Sequence, residues 1–196
     1  MNRDGTDLTR LTSAESLDEL PSWSPDGREI LFNSWLGANT DSSDLFVIDV
    51  GGGEPQRLTE TAINEAHADW SSTGRLVFNG TVPGEDFFQI YTSHADMSNG
   101  QQITNSQIDE YSPQWSPDGT RILFISERGN STNSGLYSMN ADGSDARLLY
   151  NGPTEEWGAS WSADGTQIIF TIDQPDGTAN IYIMDAGGGE PGLVTE

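Results

Sequence analysis

The chain has 196 residues, with 31 Asp and Glu against 8 basic residues, all arginine, for a formal net charge of −23. So acidic a surface repels nucleic-acid phosphates and anionic headgroups, which excludes nucleic acid and membrane surfaces as partners and favours basic ones. With no cysteine, disulfides, thiol catalysis and zinc–thiolate sites are excluded.

No apolar run reaches the ~18–20 residues of a membrane span. No signal-peptide pattern precedes the first repeat. The acid is spread along the whole chain, which argues against a disordered tail and fits either a basic partner or a saline habitat.

In chain order, Met1-Asn2-Arg3-Asp4-Gly5-Thr6-Asp7 matches Met139-Asn140-Ala141-Asp142-Gly143-Ser144-Asp145. Leu8 to Thr12 then reads as an outer strand, so residues 1–12 supply one more fourth strand than there are repeats. The first repeat, about 13–59, carries Trp23-Ser24-Pro25-Asp26-Gly27, a turn in which Pro presets φ, Asp bonds locally and Gly takes positive φ. Leu45-Phe46-Val47-Ile48 and Arg57-Leu58-Thr59 are its third and fourth strands, joined through Gly51-Gly52-Gly53-Glu54-Pro55.

The second repeat, about 60–104, has Trp70-Ser71-Ser72-Thr73-Gly74 in place of the Pro-Asp turn and Ser93-His94 late in its third strand. A different first turn and a less regular third strand are expected there. The third, about 105–150, is the clearest: Pro113-Gln114-Trp115, the turn at Ser116–Gly119, then strands at Arg121–Ile125, Leu136–Met139 and Arg147–Leu149. The fourth, about 151–196, repeats the plan from Trp161 to Thr195.

The four tryptophans lie 47, 45 and 46 residues apart, a period that marks a repeat architecture. Four strands per unit and no helical periodicity define an all-β chain: a β-propeller of four-stranded antiparallel blades, four in this chain, forming one repeat domain over 1–196.

Trp-Ser-Pro-Asp-Gly, an apolar strand ending in Phe, then Ile/Leu-Tyr-x-Met-Asn/Asp-Ala-x-Gly and Leu-Thr resembles the blade repeat of the TolB-type propellers. The resemblance covers essentially the whole chain. It implies protein–protein contacts and an extracytoplasmic setting, periplasmic or at the cell envelope. Members of that family usually have six blades. Four blades would leave an arc, which could close on itself, stay open, or pair with a second chain as a homodimer forming an eight-bladed ring.

The fifth residue before each tryptophan is acidic: Asp18, Glu65, Glu110 and Glu156, with Asp109 and Glu155 beside two of them. Propeller symmetry would gather these around one opening, where a basic side chain or a cation such as calcium would complement them. The scaffold alternative is an acid capping the loop of the neighbouring blade. At positions where repeats differ, His67, Tyr111 and Trp157 are candidate partner contacts, with blade packing as the alternative for the two aromatics.

No nucleophile elbow, zinc-protease helix, phosphate loop or calcium hand occurs. Asn79-Gly80-Thr81 and Asn130-Ser131-Thr132 are formal glycosylation sequons. The reading is therefore a non-enzymatic protein- or peptide-binding propeller using the acidic rim of its channel, with no cofactor. The alternatives are a substrate-gating propeller of a serine-peptidase-like enzyme, or a calcium-binding propeller hydrolase.

Overall fold

A computed structural model of the chain describes residues 1, 4–12, 16–35, 42–61, 63–81, 84–85, 87–128 and 133–195. The first blade is β1 (Asp18–Trp23), β2 (Glu29–Ser34), β3 (Asp44–Asp49) and β4 (Gln56–Arg57). The second is β5 (Glu65–Trp70), β6 (Arg75–Thr81), β7 (Phe88–His94) and β8 (Gln101–Gln102). The third is β9 (Glu110–Trp115), β10 (Arg121–Ser126), β11 (Gly135–Asn140) and β12 (Arg147–Tyr150). The fourth is β13 (Glu156–Trp161), β14 (Gln167–Asp173), β15 (Ala179–Asp185) and β16 (Gly192–Leu193).

Each blade is an antiparallel sheet ordered as in the sequence, the four-bladed propeller pattern expected from the repeat. Among the described residues there is no helix.

The turn after each tryptophan is built by its serine. The Gly27 amide donates to the Ser24 carbonyl at 2.9 Å, the Ser24 hydroxyl donates to Asp26 at 2.8 Å, and the Glu29 amide donates to Ser24 Oγ at 2.9 Å. Gly27 sits at φ 69°, where a side chain would be strained. In the second blade Thr73 meets Ser71 Oγ at 3.0 Å in the role of the missing Asp, and the strand resumes one residue sooner. The third strand there is fully regular, contrary to expectation: β7 pairs with β6 from Thr81↔Phe88 to Arg75↔His94 without a bulge. The ladder runs through backbone groups, so Ser93 and His94 do not disturb it.

Every inner strand carries a bulge next to a residue of positive φ: Leu20 (54°), His67 (51°), Ser112 (52°) and Gly158 (61°). Three of the four are not glycine, so the first three blades each hold a sparsely populated conformation against the channel.

The core lies between blades. Leu31 and Leu45 of the first pack against Leu76 and Phe78 of the second. Val77 and Ile90 of the second meet Ile122, Phe124 and Met139 of the third. Leu123 and Leu136 of the third meet Ile168, Phe170 and Met184 of the fourth. Trp70, Trp115 and Trp161 join these three layers, with indole N–H groups that find no partner. Their contribution is apolar area.

Trp23 has no blade before it and is exposed. Among the described residues no strand of the fourth blade touches the first, so the blades form an arc. The segment expected to form an extra outer strand is not one: Leu8–Thr12 belongs to no sheet, because no third strand stands beside it to pair with. Its Leu11 packs instead on Phe32 and Ile48 of the first blade.

Candidate functional site

The inner-strand acids are drawn into the joints between blades. Glu65, Glu110 and Glu156 are buried. Glu65 accepts the hydroxyls of Thr59 at 2.9 Å and Thr61 at 2.6 Å, both from the loop that leaves the first blade. Glu110 accepts from the Ser126 hydroxyl at 3.5 Å and pairs with the Arg128 guanidinium. Glu156 accepts the Gly152 amide at 2.6 Å. Asp18, less covered, accepts the hydroxyls of Ser34 at 2.6 Å and Ser16 at 2.9 Å.

These carboxylates thus cap the scaffold; they do not stand free at a common opening. A buried charge needs such partners; each acid finds at least one close by, but Glu110 Oε2 and Glu156 Oε2 are buried without one among the described residues.

Burial pushes the Glu65 carboxyl up to about 7 against the threonine hydroxyls that favour its charge. Glu156 is raised to about 7 as well, by burial first, with the Glu155 carboxylate adding to it. At Asp18 partial burial raises and the hydroxyls of Ser34, Thr12 and Ser16 lower; the hydroxyls win, and the carboxyl lies below its usual value.

The neighbouring loop acids also tie blades together. Asp109 accepts the Phe88 amide at 2.7 Å, and Glu155 accepts the Ser134 hydroxyl at 2.6 Å. Around Tyr111, however, carboxylates accumulate. Its hydroxyl is pushed up by burial first and then by the charges of Glu155, Glu127 and Asp109. Tyr111 packs on the core between the third and fourth blades. Trp157, in the same position of the fourth blade, is exposed, and its indole N–H donates to Asp173 at 2.8 Å. The two aromatics differ because Tyr111 has a following blade to lie against and Trp157 has none.

His67 lies where two hollows meet. One, of 190 Å³, opens on the channel between the inner strands of the first three blades, bounded by Leu20, Ser22, Asp69, Ser112 and Gln114 as well as His67. Asp69 is its hub: it accepts the Ser22 hydroxyl at 2.9 Å and the Trp115 amide at 2.9 Å, linking three blades. Burial raises its carboxyl, and burial lowers the His67 imidazole.

The other hollow, of 300 Å³, lies between the first and second blades beside Asn33, Trp35, Asn64 and Phe88. The Asn33 carboxamide is buried there with neither its oxygen nor its nitrogen bonded. Sequence reasoning passed over Asn33, Asp69 and Glu127. A signal for the first existed: Asn33 stands in an apolar strand where the third repeat has Ile125.

Among the described residues no three His, Asp or Glu side chains come together as a metal site. The Asn79 sequon lies in β6 with a buried side chain, and Asn130–Thr132 falls outside the described residues.

Four-stranded blades with bulged inner strands facing a channel define a β-propeller protein. The chain belongs to the TolB β-propeller family, whose profile, described as the TolB beta propeller domain, matches residues 1–133 and again 111–196. A protein TolB homolog of Chlorobium luteolum is 33% identical over 127 residues, 64% of this chain and 27% of the relative.

Among solved structures, TolB from Acinetobacter baumannii superimposes with a TM-score of 0.81 at 22% identity, over 98% of this chain and 47% of that one. A puromycin-hydrolyzing peptidase of Mycobacterium tuberculosis gives 0.69 at 18% identity, over 91% and 29%. The chain therefore spans about a third or less of the curated relatives it matches. The fold is shared by enzymes and by TolB, so fold alone leaves catalysis open.

Proposed function

We propose that this chain is a non-enzymatic binding module that takes a basic protein segment at the channel mouth, in an extracytoplasmic setting like that implied for its family. The observation that carries this is the gathering of Glu155, Glu127 and Asp109 around Tyr111, on a chain of net charge −23. A lysine or arginine side chain laid over Tyr111 gains both the carboxylates and the ring face. The buried, unbonded Asn33 carboxamide offers a donor and an acceptor to a peptide group entering the cleft beside Trp35 and Phe88.

The catalytic alternatives draw less support. The inner-strand acids are already bonded into the scaffold, and the His67 imidazole bonds to the Asn79 side chain, an amide, which cannot orient it as a carboxylate would.

The test is fluorescence anisotropy of a dye-labelled lysine-rich peptide at low salt. Glu127→Gln with Glu155→Gln should weaken binding about tenfold, the loss of exposed charge pairs near one aromatic. Asp142→Asn with Asp176→Asn, the same change in charge on outer turns, should leave it within about twofold. Equal losses from the two pairs would reduce the interaction to bulk charge and remove the mouth as a site.

A further inference from the structure

We propose that the hollow between the first and second blades is a carboxamide pocket, in which Asn33 pairs edge to edge with a glutamine or asparagine side chain of the segment that docks at the channel mouth. The source of that side chain rests on the reading above; the pocket itself does not. All its walls come from the first two blades, whatever adjoins them.

The sequence puts asparagine at one place in two successive repeats. Asn33 and Asn79 each follow the phenylalanine of a second strand, Phe32 and Phe78, and the third repeat has Ile125 there. The registers agree: Asn33 stands opposite Leu45, Asn79 opposite Ile90 and Ile125 opposite Leu136. By strand alternation Asn33 shares a face with Leu31, the residue that packs against the second blade.

Asn79 has a structural task. Its Oδ1 accepts the Ser112 amide, at the bulge of the next blade, at 3.2 Å, and its side chain bonds the His67 ring. Asn33 has no such task. It is 1% exposed, and among the described residues neither its oxygen nor its nitrogen has a hydrogen-bond partner. The strand does not require an amide here, since Ile125 fills the same place at 1% exposure. A buried carboxamide left unpaired costs stability, and a ligand that pairs with both its atoms recovers that cost.

The walls are held in place. From the second blade, His67 brings to the same hollow a ring whose Nδ1 is buried and unpartnered among the described residues. Trp35 and Phe88 supply aromatic surface, on which a planar amide can lie. The Trp35 amide donates to the Leu17 carbonyl at 3.3 Å, and the Phe88 amide to Asp109 at 2.7 Å. Ser43 and Asn64 are already engaged with each other, the Ser43 amide donating to Asn64 Oδ1 at 2.9 Å. At 300 Å³ the hollow is at the low end of ligand sites, about 300–1,000 Å³, which suits one side chain.

Chemistry selects the occupant. Asn33 offers an acceptor and a donor side by side. A primary carboxamide carries the complementary pair on one edge and makes both bonds at once. A trans peptide group has its N–H and C=O on opposite edges and satisfies one atom of Asn33 at a time. A guanidinium or ammonium only donates, and a carboxylate only accepts. The carboxylate is also repelled by Glu19 at the margin and by the net charge of −23. Burial favours the neutral His67 ring; with its proton on Nε2, the free Nδ1 is an acceptor for the second N–H of the bound amide.

The probe that isolates the pocket is N-acetylglutamine methylamide, titrated into isotope-labelled protein and followed by NMR. The Asn33 side-chain amide and the His67 ring should shift saturably at millimolar ligand. The analogue dimethylated on the side-chain nitrogen keeps the carbonyl but lacks both donors, and should bind about tenfold more weakly or not at all. Asn33→Leu should keep the wild-type circular dichroism, melt no lower than the wild type and lose the shift at His67. A clear loss of stability in this variant would make Asn33 part of the scaffold and overturn the inference. So would a wild type that does not distinguish the two amides.

The source is tested with the dye-labelled lysine-rich peptide carrying one glutamine at each position in turn. At one register glutamine should bind about tenfold tighter than leucine or glutamate. Asn33→Leu should abolish that advantage and leave the peptide without glutamine within about twofold. No advantage at any register would overturn the docking segment as the source. Peptide binding without a shift from the small amide removes the pocket and spares the mouth; the small amide binding where the peptide does not removes the mouth and spares the pocket.

Discussion

Trp115 and Trp23 hold the same place in their repeats, yet Trp115 is 5% exposed and Trp23 62%. The chemistry of the residue is identical; only the presence of a preceding blade differs. The same contrast separates Leu123 from Ile169 at the other end. In a stacked repeat a side chain's environment is set by the neighbouring unit and not by its own, so interior joints and end faces should respond differently to the same substitution.

The largest difference should come from the aliphatics. Leu123→Ala opens a cavity in the core shared by the third and fourth blades and should cost about 3 kcal/mol. Ile169→Ala removes a side chain already in water and should cost under about 1 kcal/mol. Urea unfolding of both variants at low salt and high dilution, where copies are apart, measures the two values. Equal losses would mean that the fourth blade's face is covered in solution.

The acids give a second contrast, with opposite signs. Glu65 at an interior joint is raised to about 7 from 4.5. Between those values the folded chain holds a proton that the unfolded chain has released, so stability falls as pH rises. The contribution is fully present below about pH 4.5 and lost through pH 7, about 3 kcal/mol for a carboxyl moved this far. Asp18 at the end face is lowered. Its contribution is present above its unfolded value near 3.8 and lost as pH falls below that.

Glu65→Gln should therefore gain about 1–2 kcal/mol at pH 8 and nothing at pH 4.5, since the amide keeps an acceptor for the threonines but carries no charge. Asp18→Asn should lose stability at pH 8 and converge with the wild type in acid. Melting curves across pH test both, and a gain from Asp18→Asn at pH 8 would contradict the assignment.

The blades were legible in the sequence because turn and strand signals act locally. Ser24, Asp26 and Gly27 satisfy one another within a few residues, and Phe32 faces Phe46 across one hairpin at 5.9 Å. The acids were legible as a repeated feature but not in their direction. Whether Glu65 points to the channel or into the joint depends on Thr59 and Thr61 of the preceding loop, a relation between units. Trp157 was singled out for its side chain, but its exposure follows from the absence of a blade beside it. Asn33 is marked in the sequence as a polar residue in an apolar strand, but whether its amide finds partners depends on the neighbouring unit.

The smallest contrast lies in the threonines, and it bears most directly on the joint. Thr59 accepts a hydrogen bond from the Leu45 amide and donates one through its hydroxyl to Glu65, so one hydroxyl links the third strand of one blade to the inner strand of the next. Thr195 accepts the Ile181 amide in the same way, but the acid it would reach belongs to a blade that is not there. Thr59→Val strips a buried carboxylate of one donor and leaves an amide unpaired, which should cost about 1–2 kcal/mol. At Thr195 water can replace the lost acceptor, and the cost should stay within about 0.5 kcal/mol. Urea denaturation of the two variants measures both costs, and equal losses would mean that the Thr195 hydroxyl is as tightly held as that of Thr59.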